Sequence, residues 1–138
     1  MQKLILLSLV LLSSCETKVN EPTPKSLLDA SGVTGDWTIT ERHIPLSLLP
    51  AEVTGEFIHL DEIDSTELDN TMGLWEYIAP NTNDLGYFSV DTANKEVRFY
   101  KSDSTLRLEG NYTLSPSQLE MRLNYSNGSQ SISEIWEK

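Results

Sequence analysis

The chain has 138 residues, 38% apolar and 22% charged, enough for one folded domain with a modest core and too few for two. Twenty-one acidic residues against ten basic ones give a formal net charge of −11. That sign excludes a nucleic-acid-binding face and a basic surface that seeks anionic lipid headgroups.

The first fourteen residues read as an export leader. Met1, Gln2 and Lys3 make a positive start, Leu4 to Leu12 is apolar except for Ser8, and Ser13 and Ser14 are small. The apolar run is too short to cross a bilayer as a helix, which needs about 20 residues. Cys15 follows at once and is the one cysteine of the chain, so it has no internal disulfide partner and is read as a point of chemical attachment. Leu12, Ser13, Ser14 and Cys15 resemble the lipobox of bacterial lipoproteins, in which the cysteine thiol receives a diacylglycerol and the chain is cut just before it. The resemblance implies a mature protein that starts at a lipidated Cys15, with nine basic residues against 21 acidic ones and a formal charge of −12. It also implies a membrane partner, held through acyl chains at about 0.8 kcal/mol per buried methylene. Glu16 stands where the sorting rule of enteric bacteria would put Asp for inner-membrane retention, and by that similarity the address is the outer membrane of the cell envelope, with the displayed face left open.

Residues 16–25 (ETKVNEPTPK) are polar and carry Pro22 and Pro24, a linker composition that spaces a domain about 30 Å from its anchor. Ser26 to Ser31 predicts a turn or two of helix pressing Leu27 and Leu28 on the domain. The expected division is a leader at 1–14, anchor and tether at 15–31, and a folded domain at 32–138.

Beyond Gly32, short alternating runs separated by turn residues predict an all-β sandwich or barrel. Trp37 and Ile39 share a face in the run Asp36 to Glu41; Val53 to Leu60 follows, with Gly55 as a bulge candidate. Leu74 to Ala79, Gly86 to Asp91 and Glu96 to Lys101 come next, with Phe88 facing Val90's side and Val97 facing Phe99's. Thr105 to Leu114 places Leu106, Leu108, Tyr112 and Leu114 on one face and Arg107, Glu109 and Asn111 on the other. Leu119, Met121, Leu123 and Tyr125 alternate again, and Asn127 and Gly128 signal a hairpin into a last strand with Ile132 and Trp136. Short connections make neighbours antiparallel, and about eight strands in up-and-down order close most economically as a barrel, because closure removes exposed edges.

Gly35, Asp36, Trp37 and Thr38 resemble the glycine and tryptophan motif that opens the first strand of lipocalins, and the closing segments Tyr112 to Leu114, Leu119 to Leu123 and Ile135 to Lys138 are similar to small lipocalin-like lipoproteins of Gram-negative bacteria. The resemblance implies a non-catalytic, lipocalin-like antiparallel barrel that binds a small apolar or amphipathic ligand or serves as an envelope accessory. The domain lacks the disulfides and a clear C-terminal helix of secreted lipocalins, which argues against a roomy cavity. The alternative is a protein-interaction module that uses its acidic surface.

Candidate ligand contacts are Trp75 and Tyr87, expected with Tyr77 at a cavity mouth, and Leu48 and Leu49 in the apolar stretch His43 to Glu52, which by the resemblance lids one barrel end, the alternative being a helix turn that plugs the barrel bottom. His43 and His59 have no nucleophile motif beside them, so no catalytic residue is named. Asp61, Glu62, Asp64, Glu67 and Asp69 lack the spacing and central glycine of an EF-hand and read as a solvated acidic loop, so neither metal nor cofactor is expected. Asp64-Ser65-Thr66, Asp91-Thr92-Ala93 and Asp103-Ser104-Thr105 resemble an O-glycosylation signal of exported proteins in one group of Gram-negative bacteria, with Ser65, Thr92 and Ser104 as acceptors.

Overall fold

The computed structural model of the chain describes residues 25–45, 51–63 and 67–138. They form a short helix α1 (Leu27–Ala30) and strands β1 (Gly35–His43), β2 (Ala51–Glu52), β3 (Phe57–Glu62), β4 (Met72–Ala79), β5 (Thr82–Asp91), β6 (Glu96–Lys101), β7 (Leu106–Leu114), β8 (Glu120–Asn127) and β9 (Gln130–Glu137). Every neighbour from β3 to β9 pairs antiparallel with the next, and β9 returns to β1 to close the sheet. The result is the eight-stranded antiparallel up-and-down barrel that the alternation predicts, with β2 as a short extra strand.

β2 and β3 act as two halves of one interrupted strand, since both pair with the same edge of β1. Across the break Val53 N–H donates to Thr40 O at 2.8 Å and Ile39 N–H donates to Glu56 O at 3.0 Å, so the ladder is bridged rather than lost. The interruption lies at Gly55, where the bulge was expected.

Period-two alternation decides the interior. Trp37, Ile39, Ile58, Leu60, Trp75, Phe88, Val90, Val97, Phe99, Tyr112, Met121, Leu123 and Trp136 are buried in one cluster. The β8–β9 hairpin turns on Gly128 and Ser129, with Gly128 at φ +62, a conformation that suits glycine at the first central position of a two-residue loop.

One end of the barrel is sealed. Ser26 caps α1 by accepting from Asp29 N–H at 3.0 Å, and its hydroxyl donates to Glu62. Leu28 N–H donates to Asn70 O at 2.8 Å, which presses the fully buried Leu28 into the core. Trp37 Nε1 donates to Val33 O at 2.7 Å, and the Lys138 ammonium lies over the Trp37 ring while donating to Gly32 O. Residues 26–31 therefore pack on this end of the barrel through Leu28, while Leu27 remains half exposed.

Two expected faces are corrected. Between β6 and β7 the register steps from Phe99↔Leu108 to Tyr100↔Leu106, so one extra residue is inserted. That bulge turns Leu106 outward, at 53% exposure, and frees Arg107 from the outer face to which strict alternation assigned it. Leu119 also falls outside, in the turn before β8.

Candidate functional site

The opposite end of the barrel is open. Phe99 sits at its centre, edge-on to Trp75 at 6.0 Å, stacked with Phe88 at 6.1 Å and tilted against Trp136 at 6.3 Å. Beside this aromatic layer, toward the open end, lies a cavity of about 260 Å³ walled by Ile39, Ile58, Leu108 and Leu123; a depression of about 450 Å³ beside α1, lined by Ser31, Lys95, Tyr112 and Leu114, lies at the other end. It opens at the end where β1 finishes and where the β4–β5, β6–β7 and β8–β9 connections turn.

A polar network rings the mouth. A second bulge, between Ile39 and Glu41 on the seam with β9, brings Arg42 inward opposite Glu134. Arg42 Nε donates to Glu134 Oε1 at 2.6 Å, while its Nη1 and Nη2 donate to the two Glu56 oxygens at 3.1 and 2.7 Å. Glu134, only 3% exposed, also accepts from Tyr125 Oη at 3.0 Å and from Trp136 Nε1 at 2.9 Å. Tyr77 Oη donates to Glu56 Oε2 at 2.7 Å. The buried Glu134 carboxylate and the partly buried Arg42 and Glu56 are tolerated here because each is paired and hydrogen-bonded.

The titrations follow from those contacts. Hydrogen bonds from Arg42 hold the Glu56 carboxyl below its ordinary range, and hydrogen bonding to Glu56 raises Arg42 further above its already high value. Burial pushes the Tyr125 and Tyr77 phenols up, helped in each case by the adjacent carboxylate.

Arg107 completes the mouth. Its guanidinium lies 4.8 Å from the Trp75 ring centroid and 5.6 Å from that of Tyr77, with Asp84 Oδ2 3.3 Å from Nη1.

The residues singled out in the sequence are dispersed. Trp75 is buried in the wall, with Nε1 donating to Tyr100 O at 2.9 Å, and meets the mouth through Arg107. Tyr87 is not at the mouth: one residue away from the inward Phe88, it stands on the outer wall between Leu74 and Tyr100. Leu48, Leu49, Cys15 and Ser65 lie outside the described residues. Thr92 lies half-buried in the β5–β6 turn at the sealed end, and Ser104 is exposed in the β6–β7 turn at the open one. His59 pairs with Asp36 near the start of β1, and His43 ends that strand, so the two histidines stand at opposite ends of it. Among the described residues no three His, Cys, Asp or Glu side chains are placed to hold a metal ion.

Alternation pointed inward for Glu134, two residues from both Ile132 and Trp136, and that signal was available in the sequence. Arg42 and Arg107 were not accessible in the same way, because each reaches the cavity through a bulge. The chain matches no protein-family model, no curated protein and no solved structure.

Proposed function

We propose that this chain is a non-catalytic, envelope-anchored barrel protein that holds a small apolar or amphipathic ligand at its open end. The observation that carries the reading is a cavity with an apolar floor and a polar mouth, at the one end of the barrel that α1 does not seal. About 260 Å³ is slightly below the usual range of ligand pockets, roughly 300 to 1,000 Å³, so the ligand is small or projects from the mouth. The leader ending at Cys15 supports lipid attachment, and Glu16 after it supports an outer-membrane address.

Titration of the intrinsic tryptophan fluorescence with benzyl alcohol tests the pocket, since Trp136 lines it. Saturable quenching in the native protein, lost in a folded Leu108→Trp variant that fills the space, supports the reading. Absence of saturation, or an unaffected variant, contradicts it. Fatty-acid probe labelling of the native chain but not of Cys15→Ala tests the anchor.

A second reading, a protein-interaction module, has one specific observation in its favour. Leu74, Tyr87, Tyr100 and Leu106 are direct cross-strand neighbours on the outside of β4 to β7, and Leu74, Tyr87 and Leu106 are 38 to 53% exposed. A docking partner would meet that apolar row rather than an acidic surface.

A further inference from the structure

We propose that Arg107 reads a carboxylate at the cavity mouth, so that the barrel selects small monocarboxylates with an apolar tail. The proposal rests on the cavity reading above and narrows it to a ligand class.

The bulge between β6 and β7 is the first support. Leaving Arg107 without a Cα partner weakens the ladder locally, and the return is a guanidinium redirected to the mouth. The second support is the contrast with Arg42. Arg42 is engaged by two glutamates through Nε, Nη1 and Nη2, whereas the ionic partner of Arg107 among the described residues is Asp84, a single contact at 3.3 Å at the rim. A planar guanidinium held against two aromatic rings keeps a fixed orientation and offers its fork to a carboxylate in bidentate fashion. Asp84 already shows which chemistry that fork accepts.

Charge narrows the choice. A ligand cation would have to displace Arg107 from the faces of Trp75 and Tyr77. A multiply charged phosphate would meet the excess negative charge of Glu56 and Glu134 over Arg42. One carboxylate takes the place of Asp84 on the Arg107 fork and adds a single negative charge where a phosphate adds up to two, and an alkyl tail then lies on Ile39, Ile58, Phe99 and Leu123. At about 30 Å³ per water-sized group the cavity holds roughly eight or nine non-hydrogen atoms, the size of hexanoate.

Isothermal titration of the full chain with hexanoate and with 1-hexanol tests this. Hexanoate is expected to bind about tenfold or more tighter than hexanol, in line with a charge-assisted hydrogen bond. Arg107→Met should abolish that preference, so that the hexanoate-to-hexanol affinity ratio falls from about tenfold to about one, and Asp84→Asn should tighten hexanoate several-fold by removing the competing carboxylate. Equal or tighter hexanol binding, a preference that survives Arg107→Met, or hexanoate affinity indifferent to Asp84→Asn overturns the proposal. Hexanol binding without a carboxylate preference leaves the cavity reading standing; binding of neither probe removes both. Should Arg107→Met not fold, the Asp84→Asn comparison decides alone.

Discussion

Arg42 Nε donates to Glu134 Oε1 at 2.6 Å across the seam where β1 meets β9, between residues 92 positions apart. This contact closes the barrel with a charged pair in its interior. Glu134→Ala leaves the Arg42 guanidinium, the Tyr125 hydroxyl and the Trp136 indole short of an acceptor at once. Removing one partner of a buried pair costs about 3–5 kcal/mol, and a loss of that size is expected in urea denaturation. Glu134→Gln keeps an acceptor and should lose less.

The same network sets the pH range of stability. Glu56 has its folded pKa lowered from 4.5, so it adds stability above that value, and the contribution is lost as pH falls below 4.5 through the folded pKa. Tyr125 has its folded pKa raised from 10.0, so its contribution is complete below pH 10 and disappears as pH rises through the folded pKa. The urea midpoint is expected to decline on both flanks, and Glu56→Gln should flatten the acid limb and, through Tyr77, change the alkaline one less. An acid limb unchanged in Glu56→Gln would refute the assignment.

Gly86 faces the interior where the Trp75 indole crosses β5 to reach Tyr100 O. A Cβ at Gly86 would collide with that carbonyl and come within 2.9 Å of Trp75 Nε1. Gly86→Ala is therefore expected to cost about 1–3 kcal/mol or somewhat more, with a red shift of tryptophan emission as the indole loses its place. A thermal midpoint equal to that of the native protein would show that the wall has slack.

Tyr87 supplies a control. Standing on the outer wall, Tyr87→Ser should change stability by less than about 1 kcal/mol and leave cavity binding intact. A loss of ligand binding in this variant would contradict the placement of the site at the open end.

What was legible in the sequence follows the reach of local rules. Strand positions, antiparallel order and closure were readable because Trp37, Phe88, Val97, Phe99, Met121 and Leu123 obey period two, and a closed sheet is the economical way to bury them. The site was readable only where that rule holds. Glu134 sits at inward parity, yet Arg42 and Arg107 are delivered by bulges that shift parity by one residue, and nothing in the side-chain pattern announces such a shift. The misplacement of Tyr87 came from grouping aromatic residues by composition rather than by face; its neighbour Phe88 was the inward one. The packing of α1 was legible as the pressing of Leu28 on the domain but not in its detail, because Leu28 is held by a backbone hydrogen bond to the β3–β4 connection, a contact between segments distant in sequence.

The central claim is that the open end of the barrel, and not its outer wall, is where a ligand sits. Methyl-labelled NMR of the protein titrated with benzyl alcohol addresses it directly. Saturable shifts of the Ile39, Ile58, Leu108 and Leu123 methyls are expected, with those of Leu74, Leu85 and Leu106 unmoved. Shifts confined to the outer-wall leucines, or no saturable shift anywhere, would contradict it.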